Sequence, residues 1–362
     1  MVFYKFYYDW WKNIDKSILF LITLLFSLGL FFSLVSTSLI ASDKLNTNSY
    51  YFFFKHLFYI GIGIFFIIFF SSLSKDNLFK ISTLLFLICF VFLILVPIIG
   101  VEVKGSKRWL NLPFFPTFQP IELLKPFIII LIASFLSTEK KKNVYYKFFL
   151  SFVAISPIIF LLITQPDIGQ TLLIFLTWLS LIFISGISLI VFFIFFGIIL
   201  SILLYLIFFI TRFEYIKDRI ESFFNPISGS HSFQSDKASE AIINGGFFGR
   251  GIGEGVLKNR VPEAHTDYIV AVISEEFGAI IIILLMIIFL FFTYQVFKKL
   301  YLEKNNKIRL ILVGSITLIL LQALIHIGVN IRLFPTTGMT LPFLSYGGSS
   351  IIGTAILSGI IL

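Results

Sequence analysis

Long apolar runs, separated by short polar breaks, cover almost the whole chain. They fall at 17–40, 53–73, 78–100, 120–137, 148–164, 168–187, 188–211, 268–296, 310–330 and 347–362. A helix needs roughly 20 apolar residues to cross a bilayer, so this pattern predicts an all-α integral membrane protein of about ten transmembrane helices. The division at Gln165-Pro166-Asp167 is read as a turn at a membrane face, because Pro166 lacks a backbone donor and Asp167 is costly in lipid. No cleavable signal is evident: the run from Ser17 to Ile40 is too long and has no small-residue cleavage pattern after it. The last run is short and ends at Leu362 without a basic flank. It is expected either to be cut short or to end at the inner interface.

Positive charge sets the expected orientation. Lys5, Lys12 and Lys16 precede the first run. Lys75 and Lys80 follow the second, Lys140, Lys141, Lys142 and Lys147 the fourth, and Lys298, Lys299, Lys304, Lys307 and Arg309 the eighth. With ten spans all four groups lie on one side, which places both termini in the cytoplasm. The chain then reads as one membrane domain, 1–362. It has a cytoplasmic tail, 1–16, and periplasmic loops at 101–119, 212–267 and 331–346. The loop 212–267, between helices 7 and 8, is the large one. The loops at 101–119 and 212–267 are basic although external. They are either plain solvated loops or the receivers of an anionic partner.

Of 362 residues 58% are hydrophobic and 13% charged, and mean hydropathy is +1.00. The abundant Phe, 48 residues, reads as compositional bias. The net charge of +9 is dispersed over loops, which argues against nucleic acid as a partner. The single cysteine, Cys89, sits in an apolar run and reads as packing.

Three segments can carry chemistry. In the first, Lys104-Gly-Ser-Lys-Arg-Trp leads to Gln119-Pro-Ile-Glu-Leu-Leu-Lys125-Pro126. Arg108 suits a phosphate, and Trp109 an interface. Glu122 and Lys125 are one helical turn apart and are expected to pair, as a site or as structure only. Pro126 leaves the Glu122 carbonyl without its helical donor.

In the second, glycines from Gly245 to Gly255 make a flexible, close-approach backbone with neither dinucleotide-binding nor P-loop spacing. Pro262-Glu-Ala-His-Thr-Asp-Tyr follows, with Pro262 expected in a helical first turn. Glu263, His265 and Asp267 cluster at the membrane surface. His265 is weak as a metal ligand, since no second His or Cys stands at ligand spacing. Asp267, partly desolvated, is a candidate general base, or simply a favourable charge at a helix start. Ser274 is expected beneath it on the same face. Glu275 and Glu276 need partners, and Lys125 is one candidate. The third segment is the stripe Gln322, His326 and Asn330, which more often serves interhelical packing. It is followed by a loop rich in Pro, Gly and hydroxyls, 334–350, expected to be re-entrant or on the surface.

Taken together, these stretches resemble the SEDS family of bacterial membrane proteins (shape, elongation, division and sporulation). The motifs are Lys107-Arg-Trp-Leu, Phe118-Gln-Pro-x-Glu-Leu-x-Lys, Gln165-Pro-Asp-x-Gly, Asn244-Gly-Gly, Pro262-Glu-Ala-His-Thr-Asp-Tyr and Pro335-Thr-Thr-Gly-Met-Thr-Leu-Pro-Phe-Leu-Ser-Tyr-Gly-Gly-Ser-Ser. They occur in family order. The wording around Phe233 and Thr337 is nearer the division branch than the elongation branch. Ile121 stands where the family often has Ser, which puts one local hydrogen bond in doubt.

The resemblance implies a peptidoglycan glycosyltransferase that polymerises lipid II and releases polyprenyl diphosphate at the outer face of the inner membrane, at the septum. It implies Asp267 as the catalytic residue. The same stretches offer Arg108, Trp109, Gln119, Glu122, Lys125, Arg250, Glu263, His265, Thr266, Ser345 and Tyr346 as substrate contacts. Lys125, Arg250 and Arg260 are further cations for the diphosphate. No cofactor is required, although a divalent cation held by carboxylates stays open. The implied partners are a class B penicillin-binding protein, other division proteins and membrane lipid. The rival readings are a lipid II flippase, an elongation polymerase and a scaffold without chemistry.

Overall fold

In the computed structural model, residues 2–36, 50–103, 106–113, 115–138, 145–210, 213–224, 230–257 and 261–362 are described. Lys104, Lys140, Lys141, Lys142, Arg212, Lys258 and Arg260 lie outside them. Helices dominate: α1 Val2–Asn13, α2 Lys16–Ser36, α3 Tyr51–Ser71, α4 Lys75–Ile99, α5 Pro120–Leu136, α6 Tyr146–Thr164 and α7 Ile168–Ile184. They continue as α8 Leu189–Phe209, α9 Glu214–Phe224, α10 Ser230–Gly245, α11 Ile269–Phe277, α12 Ala279–Leu302, α13 Asn306–Asn330 and α14 Gly348–Ile361. A helix or helix pair falls on each of the ten apolar runs. Among the described residues six are long and apolar enough to cross a membrane: α2, α3, α4, α6, α12 and α13.

Two strands, β1 Val101–Val103 and β2 Ser106–Trp109, pair antiparallel with Val101 opposite Trp109. Leu110 and Phe118 then exchange backbone bonds of 2.9 and 3.0 Å and close the loop that leads to α5. Pro120 opens α5, where its missing N–H costs nothing.

The middle of the bundle is α5 and α13, both buried over most of their length. Pro126 leaves the Glu122 carbonyl open as expected, and Gly353 of α14 lies against it so closely that a Cβ would overlap the oxygen. Small residues let α14 approach α3 in the same way, through Gly359 against Ile67 and Gly63 against Ala355. Cys89 is buried among apolar neighbours, as packing requires.

Three features differ from the sequence expectation. The stretch 212–267 is not irregular, since it contains α9 and α10. The run 262–268 forms turns, so Pro262 is not in a helical first turn and the helix begins only at Ile269, after Tyr268. The expected span 268–296 is broken at Gly278, whose φ is +82°. Gly278 lies on the Phe247 carbonyl, and the break lets Ala279 N–H donate to Gly246 O at 3.0 Å. Arg250 and Gly251 N–H in turn reach Glu275 and Glu276 O at 2.9 and 3.0 Å. The glycine-rich segment is therefore a close-packed brace for a broken helix.

Gly278→Ala both strains a left-handed backbone and drives a methyl into a carbonyl. It is expected to destabilise the protein by more than about 1 kcal/mol. A lower unfolding midpoint and less monodisperse protein in detergent would register this, and an unchanged midpoint would contradict it.

Candidate functional site

The loop 331–346 dips back into the bundle. Met339, Leu341, Phe343 and Leu344 are buried, and Phe343 packs edge-on against Phe26 and Phe292. Phe343 has a φ of +68°, which a bulky residue adopts only when packing over-determines it. Irregular backbone at such depth needs internal hydrogen bonds, and the polar stripe of α13 supplies them. Gln322 Nε2 donates to Thr340 O at 2.9 Å, and His326 Nδ1 lies 2.7 Å from Met339 O. Asn330 Nδ2 donates to Asp267 O at 3.1 Å. The stripe thus fastens the two loops that meet at Asp267.

Three consecutive carbonyls are held in this way. His265 O accepts from Tyr346 N–H at 3.0 Å, Thr266 O from Ser345 Oγ at 2.7 Å, and Asp267 O from Asn330. Asn330 Oδ1 also accepts from Ala271 N–H at 3.2 Å, which joins this turn to the start of α11. Glu263, at φ +54°, begins the turn, and its carboxylate accepts from Thr266 Oγ1 at 3.1 Å. The His265 ring lies 4.4 Å from that of Phe52, with Tyr346 alongside. Burial, with Tyr59 and Tyr51 adding, pushes the Tyr346 phenol up to about 12, so it stays a neutral donor.

The backbone so fixed presents a half-buried Asp267 carboxylate at Gly338. A Cβ built on Gly338 would lie 3.5 Å from Asp267 Oδ2 and 3.9 Å from Arg108 Nη1. The carboxylate and the guanidinium therefore face the same small gap, left open by a glycine at φ +68°. Arg219 of α9 donates to Thr336 O at 3.3 Å and brings a further cation near this loop.

Arg108 is aimed by its own contacts. Its Nε donates to Gln165 O at 3.3 Å and its Nη2 to Pro166 O, and Asp167 lies 3.8 Å from Nε. Asp167 is buried, caps α7 through Gln170 N–H, and accepts from Gln119 Nε2 at 2.9 Å. Burial raises its carboxyl above the usual range, while Arg108 pulls it back. The Gln-Pro-Asp turn is thus a clamp for Arg108.

Beneath it runs a buried polar chain. Gln170 Nε2 donates to Glu122 Oε1 at 2.6 Å, and Glu122 Oε2 pairs with Lys125 at 2.7 Å. Lys125 Nζ donates to Gln322 at 2.9 Å. Gln322 leads to Thr340, whose hydroxyl meets that of Ser350 at 2.7 Å.

Most of the residues expected from sequence gather here. Asp267 and Arg108 face one gap at Gly338, Glu263, His265 and Thr266 lie in the turn that carries Asp267, and Ser345 and Tyr346 hold that turn by hydrogen bonds. Trp109 follows Arg108 on the hairpin, and Gln119, Glu122 and Lys125 lie in the support below.

Four expectations are corrected. Lys125 is only 2% exposed and spent on Glu122 and Gln322, so it does not face a diphosphate. It does not serve Glu275 either, which accepts from Asn244 Nδ2 at 3.0 Å and Leu257 N–H at 2.8 Å. Arg250 is exposed and donates to the Asn244 carbonyl and side chain at 2.7 and 2.8 Å, within the brace. Ser274 does not lie beneath Asp267 on one helix, since Asp267 precedes α11 and the Ser274 carbonyl faces Gly245.

The sequence reading did not foresee Asp167, Arg219, Asn330 or Gly338 as parts of the site. Asp167 and Gly338 stand in two of the motifs that carry the family resemblance, Asn330 ends the polar stripe, and Arg219 is one of the basic residues of the loop 212–267. Among the described residues no three His, Cys, Asp or Glu side chains converge on a metal position.

Asn330→Ala removes the donor that holds the Asp267 carbonyl and the acceptor of Ala271 N–H. Leaving buried groups unpaired costs about 1–3 kcal/mol. A clearly lowered unfolding midpoint is the expected result, and one equal to that of wild type would show that the tether is idle.

A bundle of apolar helices with one polar site under re-entrant backbone defines a multi-pass membrane protein. Residues 15–362 match the family described as cell cycle protein, FtsW/RodA/SpoVE, and the chain belongs to it. It is similar to the "Probable peptidoglycan glycosyltransferase FtsW" of Caulobacter vibrioides, 33% identical over 98% of this chain and 89% of that one. The protein of that name from Buchnera aphidicola subsp. Acyrthosiphon pisum is 35% identical over 93% of this chain and 86% of that one. In fold it resembles a chain of a solved peptidoglycan synthase complex described as coordinating polymerization and crosslinking, with TM-score 0.78, 23% identity and 96% of each chain covered. Thermus thermophilus RodA aligns with TM-score 0.70 and 24% identity over 97% of this chain and 96% of that one.

Proposed function

We propose that this protein is a peptidoglycan glycosyltransferase of ten membrane spans that joins lipid II units into glycan strands during septal wall synthesis. The observation that carries this reading is the Asp267 carboxylate, held by three backbone tethers and facing the same gap as Arg108. The acceptor sugar hydroxyl attacks the anomeric carbon of the donor and passes its proton to Asp267, the general base. The bond from that carbon to the diphosphate oxygen breaks, and polyprenyl diphosphate leaves. The negative charge growing on that oxygen meets Arg108, with Arg219 nearby. Thr266, His265, Ser345, Tyr346, Trp109 and Glu263 frame the sugars. Gln119, Glu122 and Lys125 act from below, by holding Asp167 and the re-entrant loop in place.

The site opens at the periplasmic face, and both termini lie in the cytoplasm. Lys75, Lys147, Lys299, Lys304 and Arg309 sit at the ends of helices away from Asp267, which fits the excess of basic residues on cytoplasmic sides. A class B penicillin-binding protein crosslinks the strands, a division of labour supported by the likeness in fold to a chain of a peptidoglycan synthase complex described as coordinating polymerization and crosslinking. The division role rests on the FtsW names of the relatives.

The test is purified protein, with its penicillin-binding partner, in liposomes holding labelled lipid II. Glycan polymer is expected. Transfer of lipid II between leaflets without polymer would establish the flippase reading in its place. Filamentous cells on depletion would support division, and round cells elongation.

A further inference from the structure

At the end of the bundle away from Asp267, a cavity of about 330 Å³ lies among the last turns of α5, α7 and α12 and the first turns of α6 and α13. Helix α13 runs 25 residues from this cavity to Asn330 at the Asp267 turn, which is about 37 Å at 1.5 Å per residue. The two places are thus on opposite faces of the membrane domain.

The polar lining is unbalanced: Lys147 and Arg309 face the cavity, and among the described residues no Asp or Glu lines it. Lys147 Nζ reaches the Ser185 carbonyl at 3.4 Å and the Phe148 ring at 5.0 Å. Among the described residues the side chains of Arg309 and Asn306 have no hydrogen-bond or ion-pair partner. The hydroxyls of Ser137, Thr138 and Ser185 already donate to helix carbonyls. The donors left for a ligand are therefore two cations and one amide. If the cations served only to neutralise helix C-termini, Arg309 would rest on a carbonyl, and it does not.

The remaining wall is apolar. Ile184 lines the cavity and is 50% exposed on the bundle surface, where acyl chains would run. The lining therefore matches an amphiphile with an anionic head.

We infer that this cavity binds the phosphate headgroup of an anionic membrane lipid, held by Lys147, Asn306 and Arg309. The site is separate from the glycosyl-transfer site, and its failure would leave that reading intact.

Native mass spectrometry of the purified full-length protein with phosphatidylglycerol tests the inference. The variant K147Q/R309Q is compared with K298Q/K304Q, which removes the same charge from the same end outside the cavity. Thermal unfolding checks that both fold. Wild type and K298Q/K304Q are expected to retain phosphatidylglycerol, and K147Q/R309Q to retain about tenfold less. Phosphatidylcholine should be held weakly by all three, and millimolar inorganic phosphate should displace little. Equal retention by K147Q/R309Q and wild type, or an equal loss in K298Q/K304Q, would overturn the site. Tight binding of inorganic phosphate with full displacement of the lipid would make it a free-anion site and overturn the lipid assignment.

Discussion

Lys125→Met is expected to be among the most damaging single changes in the membrane domain. It leaves Glu122, 4% exposed, with only the Gln170 amide facing its charge. Removing one partner of a buried ion pair costs about 3–5 kcal/mol, because the other charge is stranded. The same substitution deletes the donor to Gln322, the residue that holds Thr340 in the re-entrant loop. Loss of folded protein, or a much lower unfolding midpoint, should follow. The double variant Glu122→Gln with Lys125→Met removes both charges and is expected to recover much of the loss, since an apolar replacement of a whole pair is often nearly neutral. If the double variant were as unstable as the sum of the singles, the two residues would not act as a pair.

The sequence made legible what is local. Apolar runs mark every membrane-length helix, and the Glu122–Lys125 spacing announces their bond, because a helix brings i and i+3 together whatever surrounds it. Pro126 likewise exposes the Glu122 carbonyl by local chemistry, although nothing nearby names Gly353 as the residue that would cover it. What stayed hidden depends on contacts between distant segments. Gly278 lies inside an apolar run, and its break is imposed by Phe247, thirty-one residues earlier. Glu275 reads as a charge in search of Lys125, whereas the fold sets it against the Asn244 amide and the Leu257 N–H of the glycine-rich brace. Asp167 reads as a turn residue until the fold sets it beside Arg108 and Gln119. Asp267 was legible as an unusual charge at a membrane edge. The three tethers that aim it come from α13 and the re-entrant loop and could be seen only in the fold.

Asp267→Asn is expected to remove glycan polymerisation while leaving the fold in place. The amide is isosteric, and the tethers of residues 265–267 are accepted by backbone carbonyls that the substitution does not touch. What it takes away is the carboxylate that accepts the hydroxyl proton. General base catalysis contributes about 10²–10⁴-fold, so the variant should lose at least that much. The decisive measurement compares wild type and Asp267→Asn, each purified with its penicillin-binding partner and matched in unfolding midpoint, on labelled lipid II. Polymer from wild type and none above background from Asp267→Asn is the predicted result. Equal polymer from both would contradict the assignment of this site.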